Sequence, residues 1–247
     1  DLTNYAVGGA KSGNGNYYSW LDPVQDTGLF GQIDQFAAET GSVADPDALY
    51  FVFISANDLF EYVDFGLPGT VEELAAETVG NITQGVSELA ALEAEQFLIV
   101  NSSELGIVPG VIEFGQTEEA ALFTTEGYSL LPDQLTSLSQ DLDADIALYD
   151  HTAISDKIRA TPAVYGLTDV DTPCQPVFPV ESVCANPDEY YFWDEYHPTE
   201  QAHGIIGNDM TAFVTERQSQ PVPEPSIVGS ILLLGGLGVL SKKRQSI

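Results

Sequence analysis

Residues 48–58, ALYFVFISAND, form a continuous apolar run that closes on polar residues, as a buried parallel strand does. Residues 70–96 follow with apolar positions at helical spacing. Acidic side chains crowd their early turns and Thr70 stands where an N-cap belongs, so a helix is expected. FLIVNS (97–102) reads as the next strand, residues 131–142 as a second helix, and DIALYD (145–150) as a third strand. The chain then crosses a long irregular region. Pro198 and Thr199 open a last amphipathic helix, expected to run to about Glu216. No internal repeat interrupts this order. Strands alternating with helices at such intervals predict an α/β fold built on a parallel sheet. In sheets of that kind chemistry gathers at the carboxyl edge, where strands give way to loops.

Composition narrows the functional classes. The 247 residues are 44% hydrophobic, enough for a full core in one large domain. Thirty-eight acidic residues face seven basic ones, for a formal net charge of −31. Three of the seven, Lys242, Lys243 and Arg244, lie in the last six positions. Such a surface repels phosphate backbones, which argues against nucleic acid as a partner. A solvated acidic coat explains the charge, since no EF-hand spacing is present. Cys174 and Cys184 lie ten apart with no CxxC spacing and no neighbouring histidine, which speaks against zinc. A loop-clamping disulfide would suit an exported protein, but one pair alone does not establish an oxidising compartment.

Three short stretches fall where strands are expected to end. NYAVGGAKSGNG (4–15) is glycine-rich, yet Ala10 precedes Lys11-Ser12 and GxGxxG is absent, so neither nucleotide-binding pattern is met. Its glycines suit either a plain tight turn or a loop whose N–H groups approach an anion. SAND (55–58) offers Asn57 as a neutral donor and Asp58 as a turn-fixing group, although Asn-Asp at a strand end is also an ordinary turn. FWDEYHP (192–198) places Asp194 three residues before His197. A carboxylate there can hold one ring nitrogen and leave the other to take a proton from a hydroxyl, against the plainer reading of a surface Asp and His. His203 sits at an offset that points elsewhere. His151, just past the third strand, could line the same edge but has no evident partner.

Taken in this order, the three stretches resemble the blocks of the GDSL-type (SGNH) esterase and lipase family, in particular its bacterial secreted lecithinase/haemolysin-like branch. The resemblance covers nearly all of residues 1–216. It implies a flavodoxin-like doubly wound parallel sheet, the SGNH hydrolase fold, with the first strand absent from this chain. It implies a serine esterase or lipase that works through an acyl-enzyme without metal or cofactor. His197 would be the general base, Asp194 its orienter, and Gly9 (backbone N–H) and Asn57 (side chain) the oxyanion donors. Two departures stand out. Ser55 occupies the position usually held by glycine, and the Gly-Asp-Ser block that carries the nucleophile is missing. Ser12 lacks a nucleophile elbow and Ser55 lies in the oxyanion block, so neither replaces it.

The two ends add an expectation about location. PVPEPSIVGSILLLGGLGVLSKKRQSI (221–247) runs from a Pro-rich spacer through the apolar stretch 227–240 into a basic end. This resembles the PEP-CTERM sorting signal, with Val222-Pro223-Glu224-Pro225 as its motif. The likeness implies export, membrane retention through 227–240 and cleavage by a sorting protease, and the basic end agrees with the positive-inside rule. The expected division is a hydrolase domain over 1–218 and a sorting tail over 219–247. The chain begins at Asp1 with no signal peptide. With the missing serine, this leads to the expectation of an upstream segment holding signal, first strand and nucleophile, without which a sheet edge stays exposed. The alternative is an inactive surface or matrix protein that keeps the scaffold for binding.

Overall fold

The structure is a computed structural model that describes residues 2–177 and 179–219. Helix α1 (Leu29–Thr40) precedes strand β1 (Leu49–Val52). Helices α2 (Ala56–Phe65) and α3 (Val71–Ala91) lead to β2 (Gln96–Val100), and α4 (Pro109–Glu113) and α5 (Thr117–Leu142) lead to β3 (Asp145–Tyr149). Helix α6 (His151–Ala160), the short strands β4 (Asp169–Pro173) and β5 (Tyr190–Phe192), and α7 (Glu200–Ser219) complete the order. Strands β1, β2 and β3 form a parallel sheet in that sequence. Leu49 pairs with Gln96 and Val52 with Ile99 on one side, and Gln96 with Asp145 and Val100 with Tyr149 on the other. The α/β architecture with a parallel sheet expected from the pattern is therefore present. Residues Asp1–Met210 form one unit, and residues 211–219, the end of α7, belong to a second.

Strand alternation decides what each face of the sheet meets. Phe97 and Ile99 point into a buried cluster with Leu29 and Ile33 of α1, Val79, Ile82 and Val86 of α3, and Leu131 and Leu135 of α5. Each such side chain, fully buried, contributes about 1.5–3 kcal/mol. Gly85 permits the closeness of α1 to α3, because a Cβ there would sit 2.7 Å from Leu29 Cδ2. Leu98, Val100, Ala147 and Tyr149 point to the opposite face. There the Tyr149 hydroxyl donates to Asp209 Oδ2 of α7 at 2.8 Å. At the β1 end of that second face Leu49, Phe51 and Phe53 remain 43%, 52% and 45% exposed, and β1 is an edge strand.

Several elements differ from the sequence pattern. The apolar run from residue 48 ends as strand at Val52, and Asn57 and Asp58 lie in the first turn of α2. Ser55 makes no side-chain cap there; the first turn is instead tied to the glycine loop, where Asp58 accepts from Ser12 and Asn57 donates to the Ala10 carbonyl. Thr70 does cap α3, in a capping box with Glu73. Helix α5 begins 14 residues before the expected Leu131 and carries Pro132 in its interior. Pro disfavours a helix interior by roughly 3 kcal/mol, and burial of Leu131 and Leu135 against the core offsets that. The irregular region contains α6 and the two-stranded parallel sheet β4–β5, and Cys174 and Cys184 are joined in a disulfide beside it.

Candidate active site

The acidic-aromatic stretch after β5 turns back on itself. Trp193 N–H donates to the His197 carbonyl at 2.7 Å, while Asp194 Oδ1 accepts the N–H groups of Tyr196 (2.9 Å) and His197 (2.8 Å). This turn places the His197 ring against the carboxylate, with Nδ1 2.9 Å from both Asp194 oxygens. Burial pushes the Asp194 carboxyl up, but the His197 ring and the two backbone donors outweigh it, and the net shift is downward. The same hydrogen bond raises the His197 pKa above its ordinary value against the opposing effect of burial. The His197 side chain is 72% exposed, so as an ion pair this contact adds little stability. Its consequence is orientation. With Nδ1 occupied, Nε2 is the nitrogen left for proton transfer.

The turn is braced from two sides. Gln175 N–H donates to the Trp193 carbonyl and Cys174 N–H to the Phe192 carbonyl, at 2.7 and 3.0 Å. The Cys174–Cys184 disulfide closes the loop that carries these donors. On the other side Glu195, 2% exposed, accepts from Val177 N–H through Oε1 and from Gly110 N–H through its carbonyl.

The glycine loop is built as firmly. Ser12 and Asn16 are fully buried. Asn16 Nδ2 donates to the Gly8 carbonyl and to Thr27 Oγ1, and its Oδ1 accepts from Tyr18 N–H. Gly9 has φ +82°, and a Cβ there would lie 2.3 Å from Asn16 Oδ1, so both conformation and space demand glycine. Asp58, from the first turn of α2, accepts the Ser12 N–H at 2.9 Å and the Ser12 hydroxyl at 2.6 Å. Asn81 Nδ2 donates to Ser12 Oγ at 3.1 Å. Burial pushes the Asp58 carboxyl up to about 6, against the pull of those Ser12 donors and the Lys11 charge. Ser12 is therefore committed to holding the loop. Asn57, beside Asp58, donates from Nδ2 to the Ala10 carbonyl at 2.9 Å, tying α2 to the same loop.

Asn57 and His197 line one cavity of about 210 Å³. Phe60, Leu105, Val108 and Tyr196 supply apolar and aromatic wall, and His151, Ser155 and Tyr191 add buried polar groups. Gly9 is not part of this lining. His203 is turned away, its Nδ1 donating to the Thr199 carbonyl one turn earlier. His151 opens α6 and stacks on Phe53 with centroids 5.4 Å apart. Ser155, Glu104 and Tyr191 had no motif to mark them, since only the fold brings them to this cavity. Among the described residues no cluster of His, Cys, Asp or Glu is placed to hold a metal ion.

An amide side chain and a carboxylate-held histidine lining one cavity, in the order glycine loop, Asn-Asp, Asp-x-x-His, have a match among known families. The model of the GDSL-like lipase/acylhydrolase family matches residues 1–210. The chain belongs to the GDSL-like lipase/acylhydrolase family. Relatives include a GDSL esterase/lipase of Arabidopsis thaliana, 27% identical over 75% of this chain and 54% of its own length. GDSL esterase/lipase 4 of the same plant is 28% identical over 64% of this chain and 49% of its own. A third Arabidopsis GDSL esterase/lipase is 25% identical over 83% and 63%. The chain spans about half the length of the first of these curated relatives. Among the described residues no helix is long and apolar enough to cross a membrane. The sorting-type tail, with its motif at 222–225 and its apolar stretch at 227–240, lies outside the described residues.

Proposed function

We propose that this GDSL-family chain is part of a serine esterase or lipase that cleaves carboxylic esters through an acyl-enzyme. The observation that carries the reading is the His197 ring held through Nδ1 by both oxygens of Asp194, in the same cavity as Asn57. In the proposed reaction a serine hydroxyl gives its proton to His197 Nε2 as its oxygen attacks the ester carbonyl. The negative charge that develops on the carbonyl oxygen is met by the Asn57 amide and the Gly9 N–H. His197 then returns the proton to the departing alcohol, and in the second half activates water against the acyl-serine. Preorganised neutral donors of this kind are each worth about 3–4 kcal/mol in hydrolases.

The serine would come from a segment preceding residue 1, entering as a further parallel strand beside β1. The free edge of β1 and its exposed Leu49, Phe51 and Phe53 support that placement. Export, with retention through residues 227–240 until a sorting protease cuts near Val222–Pro225, is the accompanying reading. It is supported by the tail's residue order and the Cys174–Cys184 bond. On the proposed division, the hydrolase occupies 1–218 and the tail 219–247. A non-catalytic scaffold is less well supported, because it leaves the Asp194–His197 geometry without a use. The test is hydrolysis of p-nitrophenyl butyrate by the full-length gene product. His197→Ala should remove turnover while leaving the fold intact, and retained turnover would defeat the assignment.

A further inference from the structure

The glycine loop turns on a single peptide unit whose orientation one side chain controls. The Ala10 N–H donates to the Val7 carbonyl at 3.2 Å, closing a four-residue turn with Gly8 and Gly9 at its centre. Gly9 has φ +82°, the value for the third position of a type II turn. A type I turn needs about −90° there, with the Gly8–Gly9 peptide turned over by roughly 150–170°. That peptide is planar and trans, so its C=O and N–H point in opposite directions. Asn16, fully buried, donates from Nδ2 to the Gly8 carbonyl at 3.0 Å. The carbonyl is thereby held toward the interior, and the Gly9 N–H is aimed away from Asn16. The next two carbonyls are fixed as well. That of Gly9 accepts from the Tyr17 N–H at 2.8 Å, and that of Ala10 from Asn57 Nδ2 at 2.9 Å. Among the described residues the Gly9 N–H itself has no hydrogen-bond partner.

We propose that Asn16 is a positioning residue for the reaction, holding the Gly8–Gly9 peptide in the type II orientation that leaves the Gly9 N–H free for the developing oxyanion. The inference rests on the esterase reading, which makes Gly9 a donor; the hold itself is a matter of hydrogen bonds. The amide of Asn16 can stand only one way round. The Gly8 carbonyl only accepts and the Tyr18 N–H only donates, so Nδ2 faces the first and Oδ1 the second, at 2.8 Å. The remaining amide hydrogen goes to Thr27 Oγ1 at 2.9 Å, which fixes the side chain from behind. Contact with the turn is close as well as polar, since a Cβ on Gly9 would lie 2.3 Å from Asn16 Oδ1. The chemistry at position 16 therefore decides the direction of the peptide. A carboxylate there would repel the Gly8 carbonyl and, once the peptide turned over, accept the Gly9 N–H, so the donor would be captured. An oxyanion donor stabilises charge because it is aimed before the charge develops, and a captured one contributes nothing.

The test uses the full-length gene product with two readouts, p-nitrophenyl butyrate kinetics and the nuclear Overhauser effect between the Gly8 Cα hydrogens and the Gly9 N–H in glycine-labelled protein. That effect is strong in a type II turn and weak in type I, whether or not the protein is an enzyme. Asn16→Asp should weaken it severalfold and lower kcat about a hundredfold, with KM changed less than roughly threefold, because the lost contact exists only in the transition state. Thr27→Val, nearly isosteric, removes the other partner of Asn16 and leaves Gly8 alone. It should lower the melting temperature while keeping the Overhauser effect and holding kcat within about threefold of wild type. Should Asn16→Asp fail to fold, the uncharged Asn16→Leu takes its place with the same expected loss of kcat. A weak effect in the wild type, an unchanged effect or unchanged kcat in the Asn16 variant, or an equal loss of kcat in Thr27→Val would overturn the inference. A wild type that shows the strong effect and its loss in Asn16→Asp, yet turns over no ester, would sink the esterase reading and leave the hold on Gly8 standing.

Discussion

At the scale of single residues, the protonation of His197 governs the chemistry proposed for it. Its hydrogen bond to Asp194 raises the histidine pKa, so the neutral, proton-accepting form predominates only at a higher pH than for a free imidazole. The acidic limb of kcat/KM should therefore lie above about 6.5. Asp194→Asn removes the charge that holds the imidazolium, so the limb should move to lower pH. The rate at the plateau should fall by up to ~10⁴-fold, as when a triad carboxylate is replaced elsewhere. An unmoved limb in that variant would show that Asp194 does not act on His197. For stability the sign follows the same shifts. A raised His197 pKa favours the fold below about pH 6.5 and loses that effect as pH rises through the folded value. The lowered Asp194 favours it above the ordinary carboxylate range and loses that as pH falls. Both effects are small because the pair is largely solvated on the histidine side.

At the scale of elements, two connections determine whether the site holds its shape. The first is the hold of α2 on the glycine loop through Asp58 and Ser12. Ser12→Ala should destabilise the protein by about 1–3 kcal/mol at pH 8, where Asp58 is ionised and needs its donors, and by less at pH 5. Folding raises the Asp58 carboxyl to about 6, so the ionised group costs stability above that pH, and the cost fades as pH falls. Denaturant unfolding at the two pH values reads the difference, and equal losses would show that the bond is not charge-assisted. The second connection is the disulfide beside β4 and β5. Cys174→Ser with Cys184→Ser should cost about 2–3 kcal/mol and lower turnover, because the loop it closes donates to the carbonyls just ahead of Asp194. Stability lost with turnover unchanged would separate the loop from the site.

These connections also show what was legible in the sequence. The three parallel strands and α3 followed from apolar runs and a capping signal that act locally, and Thr70 with Glu73 closes the box that its spacing implies. The Asp-x-x-His contact was readable because a single turn makes it. Only half of helix α5 is legible locally, because Pro132 stops a helix by local rules and burial of Leu131 and Leu135 reverses that. The small sheet β4–β5 and the lining by His151, Ser155 and Tyr191 depend on chain segments 16 or more residues apart, and no periodicity reports such a meeting.

At the scale of the whole molecule, an ordered histidine, the Asn57 amide and the open edge of β1 belong to one unit. On the proposed reading, a serine beside β1 would complete a site already held in shape by α2, the glycine loop and the turn after β5. Covalent trapping tests this most directly. The full-length gene product is treated with a fluorophosphonate, digested and examined by mass spectrometry, alongside His197→Ala. The account predicts one phosphonylated serine, located in the strand that pairs with β1, and at least a hundredfold slower labelling in the variant. Labelling of Ser12 or Ser55, or labelling that proceeds unchanged without His197, would contradict it.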